Sequence, residues 1–320
     1  MRGWVSWRKD RCWITNCSGF FMTQTLIPLL VDALANAALI FFVAVGLTLV
    51  FSVLRILNVA HGSFYSIGAY VAASLGLWIV SIGAPPWLTF PALLLSAALV
   101  AALFGPLIEH TLIRWTYGKS EAVQILVTFG LFLILEDLQR LLFGVQSIYS
   151  DTPMSLLGVS EIGGIIYLNY QLVLVGLAVM VLVGLRVFVR HTRTGRLLTA
   201  VVADREVSLA MGIDTNRMFM IAFTLGVFLA ALGGAMATPT TGVAPGLGAD
   251  TMVLAFAVAA IGGLGQVEGA ALAAIIVALA KVLAIYFMPA LDAVAPYIVM
   301  VVVLSIRPHG LFGTAQTRRI

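Results

Sequence analysis

Side chains able to do chemistry are sparse in this chain, and the densest group of them is an island of charge. From Arg190 to Arg217 the sequence reads RHTRTGRLLTAVVADREVSLAMGIDTNR, setting Arg190, Arg193, Arg196, Arg205 and Arg217 against Asp204, Glu206 and Asp214. Its middle is rich in Ala, Leu, Val and Glu, the composition of a helix, and Gly212 offers a stop. A helix over 197–211 is therefore predicted. Charges at 204, 205 and 206 would project about 100° apart on it, leaving no single dry face. That argues against a helix lying flat on lipid and for one inserted into a groove on a partner protein. An ordinary solvated basic loop is the alternative.

Motifs that would carry catalysis fail on inspection. Gly118-Lys119-Ser120 resembles the end of a phosphate-binding loop, but the Gly required five residues before Gly118 is Ile113. The cluster GGLGQVEG (262–269) has Glu268 where the third Gly of a dinucleotide fingerprint is due. His61, His110, His191 and His309 show no HExxH spacing, and no Ser/His/Asp arrangement is visible. Cys12 and Cys17 form a lone C-x4-C pair, weak evidence for metal, and are read as incidental. Neither an enzyme nor a cofactor site is expected in this polypeptide.

The elements that must position these residues follow from composition. Of the 320 residues 61% are hydrophobic and only 10% charged, too little charge to keep a chain of this length dissolved. Apolar runs long enough to cross a hydrocarbon core recur near 26–53, 64–83, 87–108, 122–143, 171–189, 218–238, 250–264, 270–288 and 290–306. The expected fold is an all-α polytopic transmembrane bundle of about eight or nine segments. The formal charge of +4 belongs to lipid-facing loops rather than to nucleic acid. Connections 109–121 and 190–217 and the tail after 306 carry Arg and Lys and are assigned to the cytoplasm. Connections 144–170 and 239–249 carry none and are assigned outside. Counting back puts residue 25 outside, in conflict with Arg2 and Lys9. Either an early segment is broken or re-entrant, or the first 21 residues are not native and Met22 is the start. The division is therefore an N-terminal segment 1–25, disordered or not native, a membrane domain 26–313 and a tail 314–320.

Two polar interruptions break the apolar pattern. Arg55–Ser63 (RILNVAHGS) leads into SIGAYVAAS, and Gly262–Gly269 leads into AALAAII. Aligning His61-Gly62 with Glu268-Gly269 suggests a weak internal repeat, with broken helices beside a transport path. Non-helical backbone at membrane depth must be buried or line water; two ordinary glycine turns are the alternative. Asn36, Asn58, His61, Gly62, Gly263, Gly265 and Glu268 are the candidate path residues. Asp32 lies one helical turn before Asn36, and is read at the membrane boundary. Lys281 lies inside the eighth segment, where it either snorkels or faces a cavity. Glu136-Asp137 is placed near the external end of its segment.

The chain resembles the permease subunits of branched-chain amino acid ABC importers. The resemblance spans roughly 26–313 and rests on GLTLVFSVLRILNVAHGSFYSIGAYVA (46–72), GRLLTAVVADREVSLAMGI (195–213), AAIGGLGQVEGA (259–270) and RPHGLFG (307–313). It implies a multi-pass subunit of the bacterial inner membrane, paired with a second permease subunit. It also implies two cytoplasmic ATPase subunits that bind the ATP and Mg, and a periplasmic binding protein that delivers the solute. The segment 195–213 matches the family's cytoplasmic coupling loop. That match assigns ATPase coupling to Arg196, Ala203, Asp204, Arg205, Glu206, Ala210 and Gly212. Leu198 and Thr199 depart from the family pattern, and Lys281 stands where relatives often carry an acid. Branched-chain amino acids are the implied solutes. Urea or short amides are the runner-up within the family, and an ion-coupled secondary transporter is the alternative of a different class.

Overall fold

The computed structural model describes residues 14–162 and 165–313, with side chains from Leu26 onward and excluding 162–165. Cys12, the basic stretch at the extreme N-terminus and the tail 314–320 lie outside the described residues, as does the Cys17 side chain. Among these residues twelve α-helices longer than one turn follow in order: α1 (Ile14–Leu54), α2 (His61–Ser81), α3 (Thr89–Ile108), α4 (Glu121–Phe143), α5 (Thr152–Leu157), α6 (Asn169–His191), α7 (Arg193–Ala203), α8 (Arg205–Ala210), α9 (Thr215–Ala237), α10 (Leu247–Gly262), α11 (Val267–Phe287) and α12 (Ala295–Ile306). Every apolar run read from the sequence falls on one of them. Six stretches are long and apolar enough to cross a membrane, namely Leu26–Leu54, His61–Ser81, Pro86–Thr116, Asn169–His191, Thr215–Ala237 and Val267–Phe287. The helices α10 and α12 are apolar but shorter, and α4 carries Glu121, Glu136, Asp137 and Arg140.

At the centre stands α9, packed against α1, α2 and α3. Its run GVFLAALGGAMA is almost wholly buried. Lipid supplies no hydrophobic drive between helices, so close backbone approach through small residues must hold such a bundle together. The helix α6 is peripheral, and much of its surface faces outward.

Four boundaries differ from expectation. Helix α1 begins at Ile14, so residues 14–25 continue the first membrane helix instead of forming a separate segment. Nothing between Ile14 and Leu26 forbids a helix; the first breaker, Pro28, lies inside it. The connection 109–121 is helical as far as Thr116, through a π turn at Glu109–Ile113. The island 190–217 holds two short helices in place of one over 197–211. The connection 144–170 adds a hairpin to the all-α bundle: β1 (Val159–Ile162) pairs antiparallel with β2 (Ile165–Leu168).

Contacts between connections sort the two sides of the molecule. Ile148 and Val243 exchange backbone hydrogen bonds of 2.9 Å each way, joining the two connections that lack Lys and Arg. On the opposite side, the Tyr117 ring meets Phe219 edge-on at 4.9 Å and the Arg205 guanidinium lies 5.1 Å from the same ring. The two basic connections therefore share a face, as the charge bias requires.

Candidate functional site

A cavity of about 470 Å³ opens among α1, α2, α10, α11 and α12, a volume in the range of small-molecule sites. Its polar lining includes Asn36, Tyr65, Thr241, Asp250, Lys281 and Asp292. Thr241 belongs to the connection that also holds Val243, so the mouth lies on the side without basic residues. Val43 and Tyr65 also line it. Of the candidate path residues only Asn36 lines this cavity, and its amide donates to the Asp32 backbone carbonyl at 2.9 Å. The Asp32 carboxylate is occupied elsewhere: it accepts from Gln171 at 2.7 Å and from the Tyr286 hydroxyl at 2.8 Å, tying α1 to α6 and α11.

Directly beneath Val43 the first interruption enters the bundle. Helix α1 ends at Leu54, and Arg55 takes a left-handed φ of 57°. The next residues are non-helical, with Ile56, Asn58 and Ala60 buried. His61, the first residue of α2, lies 3.2 Å from the Val43 carbonyl, to which its Nε2–H donates. Val43 stands about 16 Å back along α1 from Leu54. Four non-helical residues, Arg55–Asn58, span at most about 14 Å; a turn from Asn58 to His61 follows, and the His61 side chain reaches the rest of the way. Irregular backbone therefore rises inside the protein toward the middle of α1, which the His61 side chain touches, where sequence placed an interruption. The side chains of Asn58, together with Thr48 Oγ1, His61 Nδ1 and Ser63 Oγ, are buried with no partner among the described residues. Buried polar atoms without partners are costly and mark either water or a changing contact. Gly62 plays a different part. A Cβ there would sit 2.1 Å from the Gly248 carbonyl oxygen, so it lets α2 touch α10 and does not line the cavity.

The second interruption sits at the far end of the bundle. Gly263 and Gly265 have φ of 97° and 93° and make a turn from α10 into α11. The C-terminal motif RPHGLFG closes this turn: Leu311 N–H donates to Ile261 at 2.8 Å and Phe312 N–H to Gly262 at 3.2 Å. Two sequence motifs thus turn out to be one structure, in which the tail satisfies carbonyls at the end of α10. Gly265 and Glu268 line a separate groove of about 340 Å³ with Arg190, Leu198 and Val202. Glu268 pairs with Arg186 at 3.5 Å, both half-exposed. The cavity beside Asn36 and the path residues Gly263, Gly265 and Glu268 are not brought together.

The charged island covers the basic face. Thr192 Oγ1 caps α7 by accepting from Gly195 N–H at 3.0 Å, and Asp204 Oδ1 caps α8 by accepting from Val207 N–H at 3.0 Å. Asp204 is therefore the residue that splits the expected single helix, because its side chain competes for backbone donors. The expectation that no face is dry is also corrected. Gly195, Leu198 and Val201 form a buried face on the bundle. Arg196, Ala203, Glu206 and Ala210 are exposed, and so are Val207, Leu209 and Met211. Gly212 ends α8 with φ 80°, as its type foretold.

No motif pointed to Glu109, which anchors this face from inside. It is wholly buried, pairs with Arg114 at 3.2 Å and accepts from the Tyr117 hydroxyl at 2.8 Å. Burial, and then the Glu109 carboxylate that accepts its proton, push the Tyr117 hydroxyl well above its usual range. Glu136, placed near the external end, is buried and accepts from Gly246 N–H at 3.0 Å, fixing the start of α10.

Residues 29–304 match the family model described as the permease component of branched-chain amino acid transport systems. The chain belongs to that family. The permease is 25% identical over 284 residues to the high-affinity branched-chain amino acid permease LivH of Salmonella typhimurium, covering 87% of this chain and 92% of the relative. It is 26% identical over 300 residues to BraD of Pseudomonas aeruginosa, covering 91% and 97%. The ribose import permease RbsC of Haemophilus influenzae is 26% identical over 272 residues, covering 81% of this chain and 76% of the relative. Membership makes this permease a multi-pass membrane transport subunit.

Proposed function

We propose that the chain is the membrane subunit of an ATP-driven ABC importer for branched-chain or related apolar amino acids. The family match over nearly the whole chain carries this reading. The cavity opening away from the basic face supports entry from outside, where a periplasmic binding protein would deliver the solute. Below it the buried layer of Thr48, Asn58, His61 and Ser63 closes the way inward. Exposed Val207, Leu209 and Met211 beside Glu206 offer one of two cytoplasmic ATPase subunits a docking surface of mixed apolar and charged character. In this reading those partners hold the ATP and Mg. ATP-driven closure of the ATPases would move that surface and, through Phe219 on α9, open the buried layer.

The test is uptake in vesicles with and without the ATPases and the binding protein, using leucine, urea and ribose. ATP-dependent leucine uptake is expected. Glu206→Arg should lower coupled uptake about 30-fold or more, the effect of losing a buried charge contact with a partner. Uptake of urea but not leucine would move the assignment within the family, and sodium-driven uptake without ATP would reject it. The bacterial inner membrane and a second permease subunit belong to the same proposal.

A further inference from the structure

We propose that Lys281 recognises the carboxylate of the transported solute, while Asp250 and Asp292 receive its ammonium, so that the cavity selects zwitterions over uncharged solutes. The inference rests on the transport reading above and names the chemistry of that same cavity.

Lys281 lies in an otherwise apolar stretch of α11, ALAKVLAI, where a charged group is costly unless it meets a partner or water. The described residues contain three ion pairs, Arg114–Glu109, Arg140–Asp137 and Arg186–Glu268, and Lys281 is in none of them. It lines the cavity and is half-buried, and Asp250 and Asp292 line the same space without an ion pair of their own. Asp32 supplies the contrast. It lies on a neighbouring helix, yet Gln171 and Tyr286 take up both its oxygens. One charge in this region holds helices together; the other three have no ion pair among the described residues and line a solute-sized space.

That arrangement has a definite chemical preference. An ammonium binds a carboxylate through a charge-assisted hydrogen bond, stronger than one to a neutral carbonyl. A zwitterion entering between Lys281 and the two aspartates replaces the water lost by both signs of charge. A neutral amide or sugar leaves all three groups without an ionic partner after displacing their water. The apolar walls, among them Leu39, Ile40 and Leu254, suit an aliphatic side chain.

The experiment uses the complete complex in proteoliposomes, in a background carrying Cys12→Ser and Cys17→Ser, with Lys281→Cys added. ATP-dependent leucine uptake should fall about 10-fold or more, the value of one charge-assisted hydrogen bond. Modification with 2-aminoethyl methanethiosulfonate should restore most of the uptake, because it rebuilds a side chain ending in an ammonium. The 2-sulfonatoethyl reagent, of similar size and opposite charge, should not. Lys281→Arg should retain transport, showing that charge and not packing is required. Full leucine uptake in unmodified Lys281→Cys, or an equal response to both reagents, overturns the assignment and leaves the importer reading standing. ATP-driven uptake of urea or ribose but not leucine by the parent complex also overturns it, again without touching ATP-driven import. A parent complex with no ATP-dependent uptake at all overturns both.

Discussion

The chain passes from one helix to the next at Leu54–His61 and again at Gly262–Val267, and the two exchanges end at different depths. In the first, Arg55–Ala60 runs upward beside α1, and α2 starts against Val43 with its polar residues sealed in. In the second, the backbone reverses at once on Gly263 and Gly265, and the C-terminal tail folds over it. The first leaves buried side-chain atoms without partners; the second is satisfied backbone to backbone. An unsatisfied layer has an incentive to rearrange, whereas a satisfied turn is a fixed corner. The difference separates a place that can open from a place that holds its neighbours still.

The largest effect is expected where the rising segment meets α10. Gly62→Val would place its Cβ 2.1 Å from the Gly248 oxygen and 2.7 Å from Met252 Cβ, forcing two helices apart. A loss of about 3 kcal/mol or more should appear as a lowered thermal midpoint of the detergent-purified protein. Near wild-type stability would mean that α2 does not start at that depth.

At the fixed corner, Gly310→Ala combines a φ of 78° with a Cβ 2.6 Å from Gly263 N. It should cost about 2–3 kcal/mol. Gly265→Ala has a similar backbone angle but its nearest neighbour is Ser52 at 3.6 Å, so about 1 kcal/mol is expected. Equal losses for the two would show that the tail does not close the turn.

Thiol reactivity compares the two regions directly. In a background with Cys12→Ser and Cys17→Ser, Gly265→Cys should react readily with a small water-soluble reagent, since that position lines the open groove beside Glu268. Asn58→Cys and His61→Cys should react at least about 10-fold more slowly at rest, because both positions are wholly buried and need local opening. Turnover with ATP should narrow the gap. Equal reactivity at rest would remove the distinction between opening layer and fixed corner.

The smallest effect concerns Arg55, whose left-handed φ of 57° begins the climb. Arg55→Gly relieves about 1 kcal/mol of backbone strain but adds chain entropy to the unfolded state. A net gain of about 0.5 kcal/mol is expected, read as a slightly raised thermal midpoint. A clear loss would show that the guanidinium makes a stabilising contact.

Much of this protein was legible from one dimension. The apolar runs located the helices, because a membrane demands about 20 consecutive apolar residues and leaves few other solutions. Arginine counts sorted the connections into two faces that the Ile148–Val243 and Tyr117–Phe219 contacts reproduce. RILNVAHGS and GGLGQVEG were visible as interruptions. Their non-equivalence was not, since a polar run with glycine reads alike at any depth. The helix break at Asp204 escaped for a related reason: residues 197–211 favour a helix throughout, and one side chain bonding to the Val207 amide outweighs that preference.

What sequence alone determined is therefore the set of rules each segment obeys on its own: which stretches are apolar enough to span, which connections share a face, where the backbone must break, and which family the motifs mark. Tertiary structure decided everything that depends on two distant segments meeting. It put His61 against Val43, the RPHGLFG tail on the end of α10, and Lys281 in one space with Asp250 and Asp292. The reason is physical. Hydrophobic transfer and backbone satisfaction act on each segment locally and leave a periodic trace, while packing and polar pairing act between residues as far apart in sequence as Asp32 and Tyr286. Their energies, such as that of the Tyr286–Asp32 hydrogen bond, exist only once the helices have assembled.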